Sequence, residues 1–192
     1  LAGREDIRLY EAPALTLSLL LNPAPASDGE LNPFSLPDVR RALQYLVNRE
    51  FIAQEIYRGL ALPMYIPAGP FDFDYLTAYD VVHEHGLTYD PAFARELVTR
   101  SMTGAGARLV DGRWHFNGRP LELKFIIRVE DARRDIGDLV RAELEKLGFA
   151  VDPSYDQFAA AISKVFSTDP KLLGWHLYTE GWGKSAAGRY DY

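Results

Sequence analysis

The stretch from Arg108 to Val151 limits the fold most tightly. Two dipeptides that suit positive φ, Asp111-Gly112 and Asn117-Gly118, stand between short apolar runs, and such pairs are strong local signals for tight hairpins. They predict a three-stranded meander over Arg108 to Val110, Arg113 to Phe116 and Leu121 to Val129. Directly after it, Ile136, Leu139, Val140, Leu144 and Leu147 recur at helical spacing within Asp131 to Leu147, and Gly148 supplies a stop. Phe149 to Val151 then reads as a short strand, Tyr155 to Phe166 as a helix, and Lys171 to Tyr178 as a strand. Strands interleaved with helices place the chain in the α/β class, and 192 residues suit one substantial domain.

The first half supports that reading. Ala14 to Leu21 is an almost unbroken apolar run bounded by Pro13 and Asn22-Pro23, which predicts a buried central strand. Asn22 to Leu36 reads as a loop. A helix opens at Pro37 and buries Val39, Ala42, Leu43 and Leu46, with Asp38 at its positive end. A second helix is capped by Asn48, presents Phe51, Ile52, Ile56 and Tyr57, and stops at Gly59. From Leu60 to Leu87, prolines and the cluster FDFDYLTAYD predict a long structured loop. Asp90-Pro91 opens a further helix with Phe93, Ala94, Leu97, Val98 and Met102 on its inner face.

Composition removes several functions. The formal charge of -6, with both signs interspersed, argues against a nucleic-acid surface. The absence of cysteine excludes thiol catalysis and disulfides. No apolar run approaches the roughly 18 to 20 residues of a membrane-spanning helix. The start at Leu1, without a targeting pattern, reads as a piece of a longer chain.

Candidate chemistry is sparse. His83 and His85 share a face if the segment is extended, but no third ligand stands at a metal-site spacing, so a solvated loop is preferred. Asp72 and Asp74 lack the surrounding calcium-loop pattern. No G-x-S-x-G elbow occurs, and the GWGKS of Gly181 to Ser185 lacks the first glycine of a phosphate loop. The remaining feature is LLGWHLYTEGWG, from Leu172 to Gly183, where a strand delivers Trp182 between Gly181 and Gly183. Such an indole either closes a core or offers a rigid face to a ligand.

The run PFSLPDVRRALQYLVNREFIAQEIYRGLALP, from Pro33 to Pro63, resembles the signature region of the family 5 extracellular solute-binding proteins of ABC importers, the oligopeptide, dipeptide and nickel group. Pro33, Phe34, Asp38, Val39, Arg40, Ala42, Leu43, Tyr45, Arg49, Ile52, Gly59, Ala61 and Pro63 carry the likeness. TYDPAFARELV, from Thr88 to Val98, and AELEKLGFAV, from Ala142 to Val151, are similar to later passages of the family.

The resemblance implies a periplasmic-binding-protein type II lobe, with a central mixed sheet flanked by helices and a β-meander. Residues 12–183 would form the C-terminal lobe, and 1–11 and 184–192 the segments crossing toward a missing lobe. It implies an extracellular or periplasmic binder without catalysis or cofactor, monomeric as an isolated lobe, serving a membrane ABC permease. Ligand contacts are expected from Trp182, Gly181, Gly183, Ser185, Glu180 and Thr179. Peptide binders of the family carry an acid three residues after the Trp, where this chain has Ser185. That departure leaves Glu180 as the nearby acid and makes an oligosaccharide the alternative ligand. A glycoside-processing enzyme using Glu180 is the reading from another class.

Overall fold

The computed structural model describes residues 15–27, 29–69 and 72–183. In chain order, β1 spans Leu15–Leu21, α1 Pro37–Leu46, α2 Arg49–Phe51, α3 Phe73–His85 and α4 Pro91–Gly104. They are followed by β2 Arg108–Val110, β3 Arg113–Phe116, β4 Arg119–Pro120, β5 Glu122–Arg128, α5 Arg133–Lys146, β6 Ala150–Asp156, α6 Phe158–Phe166 and β7 Leu177–Gly183. The main sheet has the order β1-β7-β5-β6: β5 runs parallel to β6 and β7, and β1 runs antiparallel to β7. This is the expected mixed α/β architecture. None of the described helices is long and apolar enough to cross a membrane.

Alternation along β5 builds a core on each face of the sheet. Leu123, Phe125 and Ile127 join Leu177 and the inner residues of α1, α4 and α5, whereas Ile126 joins Tyr178, Trp175 and Ala161 and Val165 of α6. α5 therefore links β5 to β6 across one face, and α6 links β6 to β7 across the other. The strand order reverses beside β5, so the carboxyl ends of β5 and β7 border a topological switch point, where open α/β sheets place ligands.

The local signals act as read at several points. Asp111 and Gly112 have φ of 47° and 75°, and Asn117 and Gly118 have 49° and 76°, so both turns use positive φ at both centres. Asn48 and Asp90 accept the Phe51 and Phe93 amides at 2.9 Å each, as helix caps should.

Other expectations change. β1 is an edge strand of the sheet, not a central one. Its leucines cover both cores, with Leu17, Leu19 and Leu21 on one and Leu20 on the other. An apolar run reports covered faces, not lateral neighbours. The predicted loop from 60 to 87 contains α3, which Gly86 ends in a left-handed conformation at φ 53°. None of the residues of α3 is buried, so no apolar stripe marked the helix. α2 widens into a π-turn over Ile52–Ile56, which displaces the anticipated face and leaves Phe51 exposed. The meander's third strand is only Arg119–Pro120, extended by the Leu121 amide, which donates to Trp114 O at 2.8 Å, before the chain passes into β5 in the main sheet. β6 runs through Pro153, which an edge strand tolerates, so Tyr155 is extended and α6 begins at Phe158. β7 begins at Leu177, after a 3-10 turn over Pro170–Leu172.

Two fully buried asparagines fasten the exit of β1. Asn22 donates from Nδ2 to Pro170 O at 2.8 Å and Trp175 O at 3.0 Å, and its Oδ1 accepts the Ala24 amide at 3.0 Å. Asn32 Nδ2 donates to the carbonyls of Asn22 and Ala24, each at 2.8 Å. Buried backbone groups that no ladder reaches are thereby satisfied.

The α5–β5 contact depends on Gly137, where an added Cβ would stand 2.5 Å from Ile127 Cγ2. Gly137→Ala is expected to cost about 1–3 kcal/mol in urea unfolding, with partial recovery in the Ile127→Ala background. Gly104→Ala meets open space and should be neutral or slightly stabilising.

Candidate functional site

The site begins where β5 and β7 part. They pair at Phe125↔Leu177 and Ile126↔Tyr178, and beyond that point side chains take over the bonding. Thr179 Oγ1 accepts the Arg128 amide at 2.9 Å, and Glu180 Oε1 accepts the Gly181 amide at 2.7 Å. On its other edge β7 stays in register with β1 through Gly183, pairing Ser18 with Glu180, Leu17 with Gly181 and Thr16 with Trp182. The strand therefore continues beyond Tyr178, its expected end, and runs through both glycines to Gly183.

Directly opposed residues share a face. Tyr178, Glu180 and Trp182 stand with Leu20, Ser18 and Thr16 on the α6 side, and Thr179, Gly181 and Gly183 stand with Leu19, Leu17 and Leu15 on the α5 side. Thr179 and Glu180 are buried, Gly181 and Trp182 are half-buried, and Gly183 is exposed. Ser185 lies outside the described residues. Thr179 thus has its hydroxyl engaged within the fold, whereas Trp182 retains surface.

Four residues that sequence reasoning did not single out complete the site. Arg128, the last residue of β5, donates from Nε to Glu130 Oε2 at 3.0 Å, and its guanidinium lies 4.6 Å from the Phe158 ring centre. Glu130 Oε1 accepts the Phe158 amide and so caps α6 from a distant loop. Arg133, the first residue of α5, donates from Nε to Asp131 Oδ1 at 2.8 Å and from Nη2 to Asp131 Oδ2 at 2.5 Å. Its Nη1 faces Gly181, where an added Cβ would stand 2.9 Å away. The signal was the run Glu130-Asp131-Ala132-Arg133-Arg134 between an apolar strand and an amphipathic helix, a position that α/β folds favour for ligand contacts.

The electrostatics follow from these contacts. Burial pushes the Glu130 and Asp131 carboxyls up, but hydrogen bonds from Arg128, Arg133 and backbone amides outweigh it and hold both below their ordinary values. Burial raises the Tyr178 phenol, Arg128 opposes that shift and Glu180 adds to it. The Tyr178 hydroxyl has no hydrogen bond of good geometry, although it is close enough for both neighbours to act on it.

The other candidates fall elsewhere. His83 and His85 lie on α3, where two residues separate side chains by roughly 200° rather than placing them on one face. His83 packs on Tyr79 at 4.3 Å, and Asp72 Oδ2 accepts the Gly69 amide at 2.7 Å. Among the described residues, no group of three His, Asp or Glu side chains is arranged to hold a metal ion.

His176 sits just before β7 and acts as a ladder element. Its Nδ1 accepts the Lys124 amide at 3.0 Å, while its own amide donates to Lys124 O at 2.8 Å. Burial first, and the Lys124 charge second, lower its pKa from 6.5 to about 4. The unfolded chain binds the proton more readily, so this stabilisation is complete above pH 6.5 and is lost as pH falls through 4. Urea midpoints should fall over that window by an amount equivalent to about 3 kcal/mol. His176→Asn, which retains an acceptor without titrating, should flatten that step.

The model for "Bacterial extracellular solute-binding proteins, family 5 Middle" matches residues 4–191. The glutathione-binding protein GsiB of Pectobacterium atrosepticum is 39% identical over 66 residues, 34% of this chain and 12% of that protein. The oligopeptide-binding protein AppA of Bacillus subtilis is 24% identical over 148 residues, 73% of this chain and 26% of that protein. A periplasmic oligopeptide-binding protein of Thermotoga maritima, solved with mannohexaose, superposes with a TM-score of 0.71 at 23% identity, covering 92% of this chain and 32% of that one. The chain thus spans about a third or less of the length of each of these proteins. A match along nearly its whole length places this chain in family 5 of the bacterial extracellular solute-binding proteins.

Proposed function

We propose that the full-length protein captures a peptide-like solute outside the cytoplasmic membrane and delivers it to an ABC permease. Residues 12–183 act as the C-terminal lobe, and 1–11 and 184–192 cross toward a second lobe. Closure of the two lobes on the ligand shifts the protein toward a state whose contacts exist only when the site is filled. The isolated lobe is a monomer, and the protein works without a cofactor.

The observation that carries this reading is the donor set at the carboxyl ends of β5 and β7. Arg133 uses Nε and Nη2 on Asp131 and keeps Nη1 beside Gly181, so one N–H group of a fixed guanidinium is directed to where a ligand carboxylate or carbonyl can bind. Trp182 supplies the apolar face, Gly183 an exposed backbone, and Ser185 a hydroxyl. Thr179 and Gly181 serve indirectly, by closing the strand split and admitting Arg133. A relative named for glutathione and another for oligopeptides agree with this ligand class.

An oligosaccharide is the second reading, favoured by the mannohexaose-bound relative and by Trp182 beside carboxylates. A glycosidase using Glu180 needs a second carboxyl group free to act with it, and it is disfavoured because the nearby acids Glu130 and Asp131 are both engaged by arginine.

Thermal unfolding of the full-length protein with trialanine or mannohexaose separates the ligands, since a ligand that binds only the native state raises Tm. Trialanine is expected to raise it. A shift with mannohexaose alone overturns the peptide reading. Arg133→Gln should weaken trialanine binding by about 10- to 100-fold, the cost of one charge-assisted hydrogen bond, and should weaken binding of its C-terminal amide much less, as measured by calorimetry.

A further inference from the structure

One element of the lobe is barely attached to it. α3 is 13 residues long and buries none of them, whereas a helix of roughly 12 to 15 residues is marginal in water without a packed face. At helical spacing Tyr75, Ala78 and Val82 are half-buried toward the lobe, and Phe73, Leu76, Asp80 and Glu84 point the other way. Phe73 is 78% exposed and Leu76 66%. The outer face is thus apolar in its first turn and acidic further on.

The place of α3 is fixed from both sides. Before it, the Arg49 guanidinium lies 5.1 Å from the Tyr65 ring centre, and the Tyr65 hydroxyl donates to Glu50 Oε1 at 3.4 Å. After it, the Asp90 amide donates to Tyr45 O at 2.8 Å. α3 is therefore anchored where α1 ends and α2 begins. The π-turn after α2 leads to Tyr57, whose phenol is raised by burial and by the Asp131 charge and lowered by Arg133, so this is the end of the lobe that carries the carboxyl ends of β5 and β7. Leu15 of β1 stands opposite Gly183 of β7 at that same end.

Charge selects what can cover this face. Between Arg58 and Arg95 the chain carries five acids, Asp72, Asp74, Asp80, Glu84 and Asp90, and no lysine or arginine. The complementary surface is apolar with basic side chains at its margin. The chain spans a third or less of the length of its relatives, and the outer ends of β1 and β7 lead toward the remainder.

We propose that α3 is a closing contact: in the full-length protein it packs against a basic, apolar surface of the second lobe when the lobes shut on a solute. The proposal rests on the two-lobe reading above and adds to it a contact that does not touch the solute. A contact made only in the closed state raises affinity by slowing release.

Amide hydrogen exchange of the full-length protein, with and without saturating trialanine, tests this without a variant. Exchange over 73–85 is expected to slow at least about tenfold when trialanine is bound. Phe73→Ala with Leu76→Ala should leave the unliganded Tm unchanged, because both side chains are exposed, and should speed trialanine release about tenfold at an unchanged association rate. Unchanged exchange over 73–85, protection that appears only when the permease is added, or equal release rates overturn the proposal and leave solute capture intact. A Tm shift with mannohexaose and not with trialanine overturns the peptide reading alone, and the exchange comparison is then made with mannohexaose. Binding of neither solute overturns both.

Discussion

The fold depends on a seam only two residue pairs long. β5 and β7 meet at Phe125↔Leu177 and Ile126↔Tyr178, yet this contact joins the β1–β7 pair to the β5–α5–β6 unit. Its length is increased by side chains at both ends. His176 and Lys124 exchange two hydrogen bonds before the paired stretch, and Thr179 takes the Arg128 amide after it. A polar side chain that replaces a ladder bond must be buried, uncharged and fixed, which is the state of His176 and Thr179. The parting of the strands is therefore a built feature of the sheet rather than fraying.

That parting creates the polar end of the molecule. Once Thr179 has taken the Arg128 amide, the side chain of Arg128 is positioned to bind Glu130, and Glu130 in turn caps α6. Asp131 and Arg133 form the corresponding unit at the start of α5. Each helix flanking the sheet is thus referenced to the same strand ends by an arginine–carboxylate pair. Such pairs contribute little net stability when partly solvated, but they fix direction well.

What the sequence revealed follows the range of each interaction. The turns at Asp111-Gly112 and Asn117-Gly118, the caps at Asn48 and Asp90 and the stop at Gly148 are settled by neighbouring residues, and they are where the pattern put them. α3 was hidden because it buries no residue, and the full length of β6 was hidden because Pro153 lies within it. The edge position of β1 was hidden because lateral pairing leaves no trace in one strand. The segment around Trp182 stood out through its glycines and its likeness to a known signature, but those same glycines hid that β7 runs on to Gly183. Arg128 and Arg133 were not, since their meaning comes from β7, which lies about fifty residues away in the chain.

Gly181 shows how the two kinds of information combine. In sequence it is a small residue beside an indole, and the simplest reading gives it a backbone to offer. Its amide instead binds the adjacent Glu180, and the space of its missing side chain is bounded by Arg133 Nη1, Leu17 and Leu15. Its φ is not in the left-handed region, so backbone freedom does not explain a glycine here. What the glycine provides is room. A cation can approach the strand on one face while the acid of the preceding residue turns to the other, so two opposite charges stand at one strand end without cancelling.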